Sequence, residues 1–180
     1  MRGLLERSRT VITQIKQEIG TMAKNIVIPL ELKYDFAMRS YTFMLKAWLH
    51  VIREEYGAVE ALRLYEKVCK IGDRTKSFTN TLLNIFKIEG NDAETIAKWW
   101  DIRWELIGGE VTWLERSKTI SRIKVTKCPW STPVPKDISD WDLIYINLVD
   151  KTINSKASAE RPKGMCAGDP YCEIIHKIEE

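Results

Sequence analysis

Histidine is scarce in this sequence, with only His50 and His176 among 180 residues. A nucleophilic thiol or hydroxyl needs a base within reach, so a Ser-His-Asp arrangement is poorly supported. Long apolar runs are absent as well. No run approaches the ~20 residues of a membrane span, and the longest candidate, "NIVIPLEL" (25–32), is interrupted by Pro29. The first twenty residues carry charge throughout and have no apolar core, which excludes a secretory signal and makes the expected compartment cytoplasmic. Charge of one sign is missing too. With 28 basic and 25 acidic side chains the net charge is +3, and Lys118, Arg122, Arg161 and Lys163 are too sparse for a nucleic-acid patch. No CxxC pair, internal repeat or low-complexity segment occurs. The four cysteines, in a reducing compartment, argue for thiols or metal ligands rather than structural disulfides.

A chain of this length can bury a core without staples. Its pattern changes part-way along. Residues 4–24 place Leu4, Leu5, Val11, Ile12, Ile15 and Ile19 near helical spacing among many charges, an amphipathic segment able to pair with a second copy. Helical patterning resumes over 32–56, stops or kinks at Gly57, and continues over 58–71 and 74–88. After the turn and cap signal "GND" (90–92) it covers 93–105. From 109 the period shortens. Ile123 and Val125 alternate with Arg122, Lys124 and Thr126, as do Val111 and Trp113 with their neighbours, predicting a hairpin that turns near 116–118. The proline-rich "CPWSTPVPKD" (128–137) is a loop, 137–154 a helix, and 156–179 a second hairpin turning at Gly168-Asp169. In its last strand Cys172, Ile174, His176 and Ile178 share one face. Segregated helices followed by antiparallel strands make the fold class α+β, with a ββαββ C-terminal half. The predicted organisation is one domain: an N-terminal arm (1–30), a helical half (31–107) and a ligand- and metal-binding half (108–180).

"CAGDPYC" (166–172) raises the question of chemistry, because two thiols flank one turn. Metal clip, redox pair, catalytic thiol and plain hairpin tip are all open readings. Cys128, Cys166, Cys172 and Glu160 converge if the two hairpins are neighbours in one sheet, and thiolate sulfur and carboxylate oxygen suit zinc. His176 is a possible substitute ligand. Small buried thiols are also ordinary packing, which is the reading for Cys69. The charged runs "REEY" and "KDISDWD" read as solvated surface. Seven tryptophans are many for this length. Trp99, Trp100 and Trp104 share one helix, and Trp113, Trp130 and Trp141 fall in the C-terminal half. They form either core or the wall of an aromatic ligand pocket.

The stretches "RIKVTKCPW" (122–130), "DLIYINLVDKTIN" (142–154) and "AERPKGMCAGDPYCEI" (159–174) resemble the L-2-amino-thiazoline-4-carboxylic acid hydrolase-like family. That family in turn resembles the four-vinyl-reductase domain, whose fold is shared by trafficking-complex subunits and by the sensor modules of aromatic-responsive bacterial regulators. The resemblance implies a zinc ion on Cys128, Glu160, Cys166 and Cys172, with His176 or water as an alternative fourth ligand, near an apolar ligand pocket, for which Trp99, Trp100, Trp113, Trp130 and Trp141 are the candidate walls. It implies a small organic ligand. Its catalytic version is hydrolysis of a cyclic amidine-like substrate, with attack by a metal-bound hydroxide or the Cys128 thiolate and proton handling by Glu160 or Asp169. A non-enzymatic sensing or interaction module, homodimeric through the N-terminal helices, is the alternative, and a metal-free helical scaffold is a third reading. No nucleic acid and no membrane is expected as a partner.

Overall fold

The computed structural model describes residues 29–179. The amphipathic 4–24 segment therefore lies outside the described residues. The chain divides into two compact units, Met1–Ala37 and Met38–Glu180. Of the first, only the start of a helix is described; the second holds the other described elements.

Among the described residues four helices come first. Helix α1 spans Leu30–Tyr56 and turns Thr42, Lys46 and Leu49 inward. Gly57, at φ 87°, takes a left-handed conformation that few other residues tolerate, and so separates α1 from α2 (Ala58–Lys70). A short 3-10 turn at Ile71–Asp73 leads into α3 (Arg74–Ile85). Helix α4 (Ala93–Ile107) begins at Asp92, whose carboxylate accepts from the Thr95 amide (2.9 Å) and hydroxyl (2.7 Å), and so satisfies donors the first turn would otherwise leave bare. It carries Ile96, Trp99, Trp100, Trp104 and Ile107 into the main core.

Strands β1 (Glu110–Arg116) and β2 (Ile120–Lys127) form the first hairpin. After the proline-rich loop and a 3-10 turn at Lys136–Ile138 comes α5 (Trp141–Ile153), then β3 (Ala157–Lys163) and β4 (Cys172–Ile178). The sheet is antiparallel with order β1-β2-β4-β3, so the two hairpins are neighbours through β2 and β4. This is the expected α+β class. Helix α5 starts at 141 rather than 137, because the chain leaving Pro135 first closes the 3-10 turn.

The strands alternate as the sequence pattern requires. Ser121, Ile123 and Val125 are buried between more exposed neighbours, and Ile123 and Val125 face Ile174 and Cys172 across the β2–β4 ladder. Helix α5 also holds the sheet edge. The Asn147 side-chain amide accepts from the Ala159 amide (2.9 Å) and donates to its carbonyl (3.2 Å), a substitute for the neighbour strand that β3 lacks on that side. A second cluster joins Leu49, Ala61, Tyr65, Ile138 and Trp141, with Cys69 at its margin as packing. Among the described residues no helix is long and apolar enough to cross a membrane.

Candidate functional site

The inner face of the sheet, α4, α5 and the 128–140 loop enclose a small cavity of about 20 Å³, room for roughly one water molecule. Four aromatic residues wall it: Trp100 and Trp104 from α4, Trp130 from the loop and Tyr145 from α5. Three thiols line it as well. Cys128 follows the end of β2, Cys172 begins β4, and Cys166 lies in the 3-10 turn Met165–Ala167 between β3 and β4. Gly168, at φ 100°, ends that turn in the left-handed region and lets the chain double back into β4. The turn is cross-braced by Asp169, whose carboxylate accepts from the Gly164 amide at 2.8 Å.

Each sulfur already meets an N–H donor. Cys128 accepts from the Trp130 amide (3.3 Å), Cys172 from the Met165 amide (3.1 Å) and Cys166 from the Arg161 guanidinium (3.3 Å). Burial nevertheless dominates. It pushes the Cys128 thiol up to about 12 and Cys172 up to about 11, and raises Cys166 too, against the pull of Arg161 and Lys46. At neutral pH all three are therefore thiols, not thiolates.

A group of charges surrounds them. The Arg161 side chain is 1 % exposed and grips Asp142 through Nη1 (2.6 and 2.7 Å), Asp140 at 2.7 Å, and the Ser139 carbonyl. Burial raises the Asp142 carboxyl above its usual range even with Arg161 beside it. Lys46 reaches in from α1 to the Trp130 (2.5 Å) and Thr132 carbonyls, and burial lowers its ammonium below the usual lysine value. Lys46 thus ties α1 to the loop that carries Trp130.

Further along the same face is a dry polar chain. The Trp100 indole donates to Asp150 (2.9 Å), whose other oxygen lies 2.6 Å from His176 Nδ1, and the imidazole stacks on Trp100. Asp150 and His176 are both fully buried. His176 is therefore held by Asp150, away from the role of substitute metal ligand, while His50 is exposed on α1.

The structure brings Cys128, Cys166 and Cys172 together and leaves Glu160 out. Glu160 lies on the opposite face of the sheet, 57 % exposed and paired with Lys177 at 2.7 Å. Asp142 is the carboxylate that lines the cavity. Among the described residues no group of three or more His, Cys, Asp or Glu side chains is placed to hold a metal ion. The four-ligand set that the resemblance implies does not fit this arrangement. The catalytic trio Cys128, Glu160 and Asp169 is not assembled either, since Glu160 is across the sheet and Asp169 braces the turn.

Of the predicted pocket residues, Trp100 and Trp130 line the cavity. Trp99 donates to the Thr79 carbonyl (3.2 Å), Trp113 donates to Asp101 (2.5 Å) under Arg116, and Trp141 packs on Tyr65. Sequence reasoning missed Trp104 and Tyr145 as walls and Asp142, Arg161 and Lys46 as the charged surround. Asp142 was masked by the charged run "KDISDWD", read as solvated although this carboxylate is 16 % exposed. The signal that could have found the pair is Arg161 itself, the arginine of the "AERPK" motif.

No family model matches the chain, and no curated protein does, so the likeness to the hydrolase-like family rests on the short motifs alone. Solved structures do match. A trafficking protein particle complex subunit 3 from Naegleria fowleri, covalently bound to palmitic acid, is similar with TM-score 0.63 and 12% identity, over 81% of this chain and 96% of that one. The phenol-responsive sensory domain of the transcription activator PoxR, with phenol, is similar with TM-score 0.52 and 13% identity, over 78% of this chain and 74% of that one. At such identities the likeness is one of fold.

Proposed function

We propose that this chain is a small-molecule-binding module whose ligand enters the cavity between the sheet and helices α4 and α5. The observation that carries the reading is that cavity: four aromatic walls with three neutral thiols at one place in the core. Apolar walls with a few polar groups are the usual make-up of a ligand site. The two similar structures support the reading, one having been solved with phenol and the other with palmitic acid. At about 20 Å³ the cavity is closed down, so an organic ligand has to widen it. Trp130 is the wall that has to give way, because it stands on a proline-rich loop rather than within a helix or strand, and the Lys46 bond to its carbonyl is what such a movement works against.

Titration with phenol and benzamide, followed by tryptophan fluorescence and thermal melting, tests this reading. The expected result is saturable quenching and a raised melting temperature, both lost in Ser131→Trp, which plugs the cavity from a half-buried loop position. Absence of both signals up to millimolar probe would defeat it. Ring-opening hydrolysis gains no support from the geometry, because the Cys128 thiol is neutral at physiological pH and no histidine stands beside it.

Zinc is a second reading, favoured by one observation: each cavity sulfur accepts an N–H donor, an arrangement that steadies a bound thiolate. Cys128, Cys166 and Cys172 would have to draw together to hold the ion, since among the described residues no group of three is placed for one, and Asp142 rather than Glu160 is the carboxylate that lines their cavity. Elemental mass spectrometry of tag-free protein tests it; one zinc per chain, lost in Cys172→Ser, is the expected result, and metal-free native protein rejects it. Homodimerisation is favoured by Tyr41, Met44, Trp48 and Val51, which lie exposed at helical spacing on α1. Light scattering of Met44→Glu/Trp48→Glu tests that; a wild-type monomer would end it.

A further inference from the structure

We propose that the cavity selects an organic anion, a carboxylate on a small apolar body, and that Arg103 provides the selection. This rests on the reading of the cavity as a ligand site. Helix α4 places Arg103 between Trp100 and Trp104, both cavity walls. Its guanidinium lies 5.1 Å from the Trp130 ring and 5.9 Å from the Phe78 ring, and its charge favours the ionised Tyr145 hydroxyl against the effect of burial. Trp130 and Tyr145 are the other two aromatic walls. The cation is thus stacked against the outside of the cavity by the residues that enclose it.

What Arg103 lacks is an anion. Among the described residues no carboxylate pairs with it, whereas Arg53, Arg63, Arg116, Arg122 and Arg161 each have one. Its Nε is buried with no hydrogen-bond partner. The indole N–H of Trp104, the next residue, is likewise buried and unpartnered. A bare buried donor is costly, and a bare cationic donor more so. Trp104 lines the cavity and Arg103 stands behind another of its walls, Trp130, so an acceptor meets the guanidinium once Trp130 gives way. A carboxylate supplies two acceptor oxygens and a negative charge, which matches an arginine and an indole N–H together. A neutral ligand can satisfy the indole but leaves the guanidinium without a counter-charge. The apolar walls then take the rest of the ligand.

The test compares benzoate with benzamide, which are nearly the same size and differ in charge, on the full chain by fluorescence titration. The expected result is that benzoate binds about tenfold tighter or more, the worth of a charge-assisted hydrogen bond. Arg103→Gln should erase that preference and leave benzamide affinity within about twofold of wild type, while Arg103→Lys retains most of it. The benzamide affinity and the circular dichroism spectrum serve as the folding control. Equal binding of the two probes to wild type overturns the anion selection and leaves the ligand-site reading standing. A benzoate preference that survives Arg103→Gln overturns the role of Arg103. If neither probe binds, the cavity is no site for such ligands and both readings fall.

Discussion

On β3, Glu160 and Arg161 are neighbours in sequence, and the pleat of the strand sends them to opposite faces of the sheet. Glu160 goes to solvent and meets Lys177. Arg161 goes inward and is 1 % exposed, holding Asp142, Asp140 and the Ser139 carbonyl beside a thiol. The same division runs through the sheet. The outer face carries Arg122 on Glu173, and Lys124 and Lys163 against Tyr171. The inner face carries the thiols, the cavity and the Trp100–Asp150–His176 chain. Both faces are rich in ion pairs and hydrogen bonds, but the dielectric around them differs. Water screens outer pairs such as Glu160–Lys177, so these contribute little, whereas Glu173 is itself buried beneath Arg122. Arg161, Asp150 and His176 have given up nearly all their water, so each depends on its partners.

The sharpest way to break this comparison is to remove one inner partner. Arg161→Ala strands Asp142 and exposes the Ser139 carbonyl to an empty space. We expect a loss of about 3–5 kcal/mol in urea unfolding. The double variant Arg161→Met/Asp142→Leu should recover part of that loss, since it removes both charges. A loss of under about 1 kcal/mol for Arg161→Ala would mean that the inner pair is solvated after all. Next in size comes His176→Leu. It leaves Asp150 with the Trp100 indole alone, and a buried carboxylate deprived of a partner costs about 2–4 kcal/mol. Trp100→Phe should be coupled to it, so that the two losses add to more or less than their sum in a double-mutant cycle.

These two faces also mark how far the sequence could be read. Alternation of Arg122, Lys124 and Thr126 with Ile123 and Val125 was enough to predict the strand and its buried side, because that pattern is local. The helical spacing of Trp99, Trp100 and Trp104 and the Gly168-Asp169 turn were readable for the same reason. The convergence of Cys128, Cys166 and Cys172 followed from making the two hairpins neighbours, a single non-local step. Glu160 is where local reading failed. One residue along a strand reverses the face, and the motif "AERPK" offers a carboxylate and a guanidinium at adjacent positions with nothing to say which turns inward. Asp142 failed differently. Its run of charges resembles surface, and only the guanidinium of Arg161, nineteen positions on, makes its burial tolerable. Lys46 and Arg103 act through contacts across the fold, and no local pattern announces them.

A gentler probe of the inner face is alkali. The folded pKa values of Cys128 and Cys172 are raised to about 12 and about 11, while in the unfolded chain both thiols ionise near an ordinary value of about 8.5. The folded state therefore holds these protons more tightly than the unfolded state. The resulting stability is fully present below pH ~8 and is lost as pH rises towards 11–12. About 2 kcal/mol per thiol should be lost between pH 8 and 10, as read from urea midpoints. Cys128→Ser should flatten the slope, whereas Cys69→Ser, at the margin of the second cluster, should change it less. A pH-independent midpoint in this window would show that the cavity thiols are solvated.

The smallest effect belongs to the outer face. Glu160→Ala removes the partner of Lys177, yet both side chains stay in water and the ammonium is simply rehydrated. The expected change is below about 0.5 kcal/mol, and it should shrink further in high salt. The same variant bears on the metal reading, because Glu160 is the carboxylate that the resemblance assigns to zinc. A protein that keeps its stability and its metal content without Glu160 places the functional carboxylate at Asp142, on α5 at the other side of the sheet. If instead Glu160→Ala lost several kcal/mol, or lost a bound metal that Asp142→Asn retained, β3 would have to turn by one residue in solution. The assignment of faces would then reverse along with the site built on it.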